Sequence, residues 1–122
     1  MRVERGVRLA QTIRVVPEGG EPVSVVVCHL VEGGTLNKIF TRLGPRHLVD
    51  IPPNVVDAIG RDHRDVLLEE DHATLILSDG IVVNLEISDT GRLERNEFNI
   101  DHGWHWLPEH FHQLIVREEL FS

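Results

Sequence analysis

Apolar and polar positions alternate from the start of the chain. Val7, Leu9, Ile13 and Val15 share one parity, interrupted only by Gln11, while Arg8, Ala10, Thr12 and Arg14 share the other. A period of two with one wet face predicts a half-buried strand over 7–15. Pro17-Glu18-Gly19-Gly20-Glu21-Pro22 supplies turn residues, and Val23–Val31 follows, apolar at both parities as a strand covered on both faces is. The pair reads as an antiparallel hairpin. Cys28 and His29 are neighbours in its second strand, so they point to opposite faces and cannot serve each other as nucleophile and base. Cys28 reads as a small core residue. His29, on the parity of Val25, Val27 and Val31, reads as a hydrogen-bonded core histidine.

The period then changes. Gly33-Gly34 breaks the strand, Thr35 is suited to an N-cap, and Leu36, Ile39, Phe40 and Leu43 fall at helical spacing before Gly44-Pro45, which predicts a short amphipathic helix over Thr35–Leu43. The glycine pair lacks the Gly-Lys-Ser/Thr of a phosphate-binding loop and reads as a strand-to-helix turn. Ile51-Pro52-Pro53 opens a second helical pattern through Val56, Ile59 and His63, weakened by Gly60. Residues 61–72 are mostly charged around Val66-Leu67-Leu68, and periodicity leaves helix end and short strand both open.

From Ala73 the alternation returns. Ala73–Leu77, the turn pair Asp79-Gly80 and Ile81–Ser88 form the strongest hairpin signal in the chain. Asp89-Thr90-Gly91 places glycine where a three-residue turn needs a left-handed residue, and Arg92–Ile100 follows as a polar third strand at an edge. Pro108 favours a helix start, and Phe111, Leu114, Ile115 and Phe121 suggest an apolar stripe, so a C-terminal helix of about three turns is expected. The whole predicts a single α+β domain over 1–122. Its antiparallel sheet combines the N-terminal hairpin with a C-terminal three-strand meander, and about three helices include the C-terminal one.

Composition narrows the class. A chain of 122 residues, 41% hydrophobic and 26% charged, is the size and make-up of one globular domain. No apolar run is long enough for a bilayer span or a secretory signal, so a cytoplasmic address is expected. One cysteine excludes an intramolecular disulfide and a cysteine-based zinc finger. A net charge of −8 disfavours nucleic acid and anionic membrane as partners and would steer in a basic protein.

The densest chemistry lies in Asp101–Gln113, which holds His102, His105, His110 and His112 and both tryptophans. Imidazole is a common zinc ligand, so His105, Glu109, His110 and His112 are candidate metal ligands with zinc as the candidate cofactor. On a helix begun by Pro108, His110 and His112 diverge by about 200°. Glu109 and His112, one turn apart, are then the better pair, with His105 approaching from the incoming loop. The bland reading is that Trp104, Trp106 and Phe111 anchor the helix to the sheet, with the histidines at its wet margin.

Glu86-Ile87-Ser88-Asp89-Thr90-Gly91, with Arg61 and Arg64 upstream, resembles the Asp/Asn-x-Ser-x-x-Gly turn and arginine motif of PilZ domains, differing at the first residue and in the arginine spacing. That resemblance implies a cyclic-dinucleotide-sensing barrel. The opening hairpin and helix also resemble the start of a β-grasp fold, which carries no function of its own. No Gly-x-Ser-x-Gly elbow, His-Glu-x-x-His helix or dinucleotide-binding glycine pattern is present, which lowers the expectation of an enzyme. The leading expectation is a small acidic protein-binding module of inhibitor, immunity or adaptor type. Its candidate partner-binding residues are Trp104, Trp106, Glu94 and Glu97; a metal-dependent protein and a cyclic-dinucleotide sensor are the alternatives.

Overall fold

The computed structural model describes residues 2–69 and 72–122. Seven strands form one mixed sheet: β1 (Val3–Glu4), β2 (Val7–Val15), β3 (Val23–Leu30), β4 (Thr74–Ser78), β5 (Ile81–Ile87), β6 (Leu93–Asn99) and β7 (Gln113–Arg117), in the spatial order β1-β2-β3-β7-β4-β5-β6. Helices α1 (Leu36–Leu43) and α2 (Pro53–Asp62) flank it, with a single helical turn at Arg46–Val49 between them. No helix among the described residues is long and apolar enough to cross a membrane.

The expected three-helix α+β domain is therefore overturned. Where a C-terminal helix was expected, Pro108–His110 makes one 3-10 turn, Phe111 takes a left-handed conformation (φ 57°) that ends it, and the chain extends into β7. β7 is central: it pairs antiparallel with β3 and parallel with β4, joining the N-terminal hairpin to the β4–β6 meander in one sheet. The physical reason lies in burial on both sides. Leu114 and Val116 enter one core and Ile115 the other. A helix lying on one face could not bury all three, and each full burial stabilises by about 1.5–3 kcal/mol.

The two cores follow from the period of two. On one face Val26, Cys28, Leu75, Leu77 and Val82 pack against Leu36, Ile39, Phe40 and Leu43 of α1. On the other, Val25, Val27, Ile76, Val83 and Leu85 pack against Val55, Val56, Ala58 and Ile59 of α2. Thr35 caps α1 by accepting the Lys38 N–H at 3.3 Å, as its position predicts. α2 runs through Gly60 unbroken, and the missing Cβ there admits Leu93 of β6 at close range. Between the helices the chain passes around the end of the sheet, held where Ile51 N–H donates to the Leu77 carbonyl and Arg117 donates to that of Asp50, both at 2.8 Å.

β2 does not keep one face. A bulge between Leu9 and Gln11 re-phases the strand, so Leu9 stands opposite Cys28 but Gln11 stands opposite Val27. Val7 and Leu9 consequently join the α1 core and Ile13 and Val15 the α2 core, although all four share a sequence parity. The first residues also pair, through a two-residue turn in which Arg5 (φ 52°) and Gly6 (φ 82°) are both left-handed. Arg5 reaches from this turn to the Leu43 and Leu120 carbonyls at 2.9 and 3.0 Å, satisfying a carbonyl at the end of α1.

Residues 61–72 divide in a way the pattern left open. α2 ends at Asp62, Arg64–Val66 forms a 3-10 turn, and Glu69 makes an isolated parallel bridge to Ile87. Glu70 and Asp71 lie outside the described residues.

Candidate functional site

The segment Ile100–His112 crosses the α1 side of the sheet and is tied down along its length. At its entry, His102 N–H donates to the Asn99 carbonyl at 2.9 Å and Asp101 accepts from Asn37 of α1 at 3.0 Å. In its middle, Trp106 and Gly34 exchange both main-chain hydrogen bonds, at 2.8 and 3.0 Å. At its exit, the His112 carbonyl accepts the Leu30 N–H at 2.9 Å. Gly33-Gly34 is thereby explained: a Cβ on Gly33 would overlap the Trp106 carbonyl oxygen, so the glycines admit a crossing backbone. With its N–H given to Trp106, Gly34 is not held open as a phosphate cradle.

His112 is the most constrained of the histidines in this segment. Its ring is buried, edge-on to Trp106 with centroids 5.0 Å apart and to His110 at 5.7 Å. Nδ1 accepts the Ala73 N–H at 3.0 Å, which in the neutral ring puts the proton on Nε2. Burial above all, and then the neighbouring His110 and His72, push its pKa down to about 4. Nearby, His72 Nδ1 lies 2.7 Å from the His110 carbonyl oxygen, and among the described residues the buried Trp106 indole N–H meets no hydrogen-bond partner.

Of the four candidate metal ligands, the fold brings together His110 and His112 and leaves His105 and Glu109 exposed elsewhere on the loop. No group of three or more His, Cys, Asp or Glu side chains is placed to hold a metal ion among the described residues. His112 in this tautomer offers a metal no free lone pair, since Nδ1 is engaged and Nε2 is protonated.

The candidate docking residues also separate. Trp104 is 67% exposed, whereas Trp106 is 9% exposed and packs edge-on against Phe98. Glu94 and Glu97 are exposed on β6, on opposite faces because their parities differ. Pattern reading missed Phe111, 71% exposed, and Leu107, 39% exposed, as display residues. Pro108 was the signal pointing the wrong way, because it opens a 3-10 turn as readily as a helix.

The turn that resembles PilZ is held by its own hydroxyls and by Arg64. Ser88 Oγ accepts the Arg92 N–H at 3.0 Å and lies 2.9 Å from Thr90 Oγ1, while Arg64 donates to the Gly91 carbonyl at 2.6 Å. Arg61 is engaged by Asp62 and the Val16 carbonyl. The surrounding sheet is open, with helices on both faces, and is not a barrel. Cys28 is buried and its thiol is pushed up to about 12, by burial first and Glu4 second, which leaves it unreactive. Among the described residues no serine or threonine hydroxyl is hydrogen-bonded to a histidine or carboxylate.

No protein-family profile matches the chain, and no curated protein or solved structure resembles it significantly.

Proposed function

We propose that this is an acidic protein-binding module of the cytoplasm, of inhibitor, immunity or adaptor type, whose partner is basic. The supporting observation is a loop held at both ends and in its middle that nonetheless turns Trp104, Leu107 and Phe111 out to solvent. Large exposed aromatics are costly surface for a free domain and are the residue types that anchor protein interfaces. Because the backbone beneath them is already ordered, binding loses little conformational entropy. The net charge of −8 supplies long-range steering toward a positively charged partner.

The test is quantitative capture from the native host with wild-type protein, Trp104→Ala and Phe111→Ala, followed by kinetics on the purified partner. Each substitution should weaken binding by about tenfold or more if these side chains are interface anchors. Association should slow as salt rises while dissociation changes less. A partner whose affinity ignores both substitutions would remove the loop from the interface, and a salt-independent association rate would leave the charge with a solubility role.

A further inference from the structure

The two edges of the sheet are managed differently. β2 is shielded at one end by β1 and interrupted by its bulge, both of which discourage a further strand. Among the described residues β6 has neither device. It pairs with β5 without a register shift from Leu93 to Asn99, and Leu93 to Glu97 are all exposed.

The main-chain groups that face outward follow from the ladder. Ile87 N–H donates to the Leu68 carbonyl, away from β6, and Ser88 N–H donates to Arg92 across the turn. Hydrogen-bonded pairs alternate in an antiparallel ladder, so Glu94, Asn96 and Phe98 bond to β5 while the N–H and C=O of Leu93, Arg95 and Glu97 point outward. Among the described residues none of those outward groups has a partner. At the far end the Asn99 carbonyl is capped by His102, which bounds the free edge.

We propose that β6 is a self-association edge, and that two copies of this chain join antiparallel about a two-fold axis through Asn96. Charge decides the occupant and the register. With Asn96 opposite its own copy, Arg95 stands opposite the partner's Glu97, and by symmetry Glu97 stands opposite the partner's Arg95. Each such pair exchanges both main-chain hydrogen bonds and sets opposite charges side by side. Sliding by two residues, the smallest step that keeps outward groups facing, sets Arg95 against Arg95 or Glu97 against Glu97. Both alternatives place like charges directly opposite, so the strand is self-complementary in one register and repulsive in its neighbours. In the single chain Arg95 already lies 3.2 Å from its own Glu97 and 3.3 Å from Asp57, all solvent-exposed. The exchange of partners therefore strands no buried charge.

Sedimentation velocity from micromolar to millimolar protein should show a reversible monomer–dimer equilibrium. Arg95→Glu and Glu97→Arg should each weaken it by about tenfold or more, since each turns two attractive cross-strand pairs repulsive. The double exchange R95E/E97R should restore it. The single changes move net charge in opposite directions, so a general charge effect would push them apart, not together. Asn96→Cys provides a geometric readout: a non-hydrogen-bonded pair has Cα atoms about 4.5 Å apart, within disulfide reach, and mild oxidation should yield a covalent dimer. Glu94→Cys, on the same face but about 13 Å from its copy, should not crosslink. A monomer at every concentration, a dimer indifferent to both single charge changes, or crosslinking at position 94 as efficient as at 96 would each overturn the proposal.

Discussion

Acidification should loosen the Ile100–His112 segment through one imidazole. His112 is buried, its Nδ1 accepts the Ala73 N–H, and its pKa is lowered from an ordinary 6.5 to about 4, chiefly by burial. Protonation would put an N–H against the Ala73 N–H and a charge beside Trp106, with two further histidines nearby. The folded state thus binds this proton more weakly than the unfolded chain. The sign follows from that inequality: the stabilising contribution is complete above pH 6.5 and is lost as pH falls toward 4. A tenfold change in proton affinity is worth about 1.4 kcal/mol, so the full shift amounts to roughly 3 kcal/mol, and on the order of 2 kcal/mol once water's access to the ring is allowed for. Urea titrations at pH 7, 5.5 and 4.5 would measure it, with Trp fluorescence as a local probe beside a global one. His112→Asn is the informative variant, because its side-chain oxygen can accept the same N–H without titrating. It should flatten the dependence of stability on pH in this window, at a cost of about 1 kcal/mol at pH 7 for lost packing. An Asn variant with the wild-type slope would refute the assignment and move the acid sensitivity to another group, such as His29, whose pKa is also lowered by burial and by Arg8.

Four other outcomes are expected. Gly33→Ala and Gly80→Val test two different reasons for glycine: the first should cost about 2 kcal/mol or more and shift Trp emission, because a Cβ meets the Trp106 carbonyl. The second has open space around it and should cost about 1 kcal/mol or more from its left-handed backbone (φ 78°) alone; an undiminished urea midpoint in either would sink the corresponding reason. Cys28 should resist a thiol reagent in the native state and react at once in denaturant, whereas fast native labelling would contradict its burial. Calorimetry on untagged protein should find zinc binding weaker than about 10 μM, near −7 kcal/mol; tighter binding abolished by changing His105 and His112 to Ala would support the metal reading.

Local chemistry alone was enough for several elements. Asp79-Gly80 joins β4 to β5 with both residues left-handed (φ 51° and 78°), Gly91 takes φ 82° in the next turn, and Thr35 caps α1. In each case the determining interaction lies within a few residues of the one that signals it. The apolar run of β3 likewise announced a strand covered on both faces, and the polar run of β6 an edge. Tertiary structure decided the rest. Gln113–Arg117 is too short for period to separate strand from helix, and it became β7 because a slot between β3 and β4 lets it bury both faces and complete two ladders. The bulge at Leu9/Gln11 reversed half of β2, and Gln11 is the one break in the alternation there, but a polar interruption does not say that the strand changes face, since the pairing partner determines which face each half meets. His112 and Trp106 likewise depended on Ala73 and Gly34, residues distant in sequence that fold under the loop and decide which of its aromatic side chains are buried and which meet solvent.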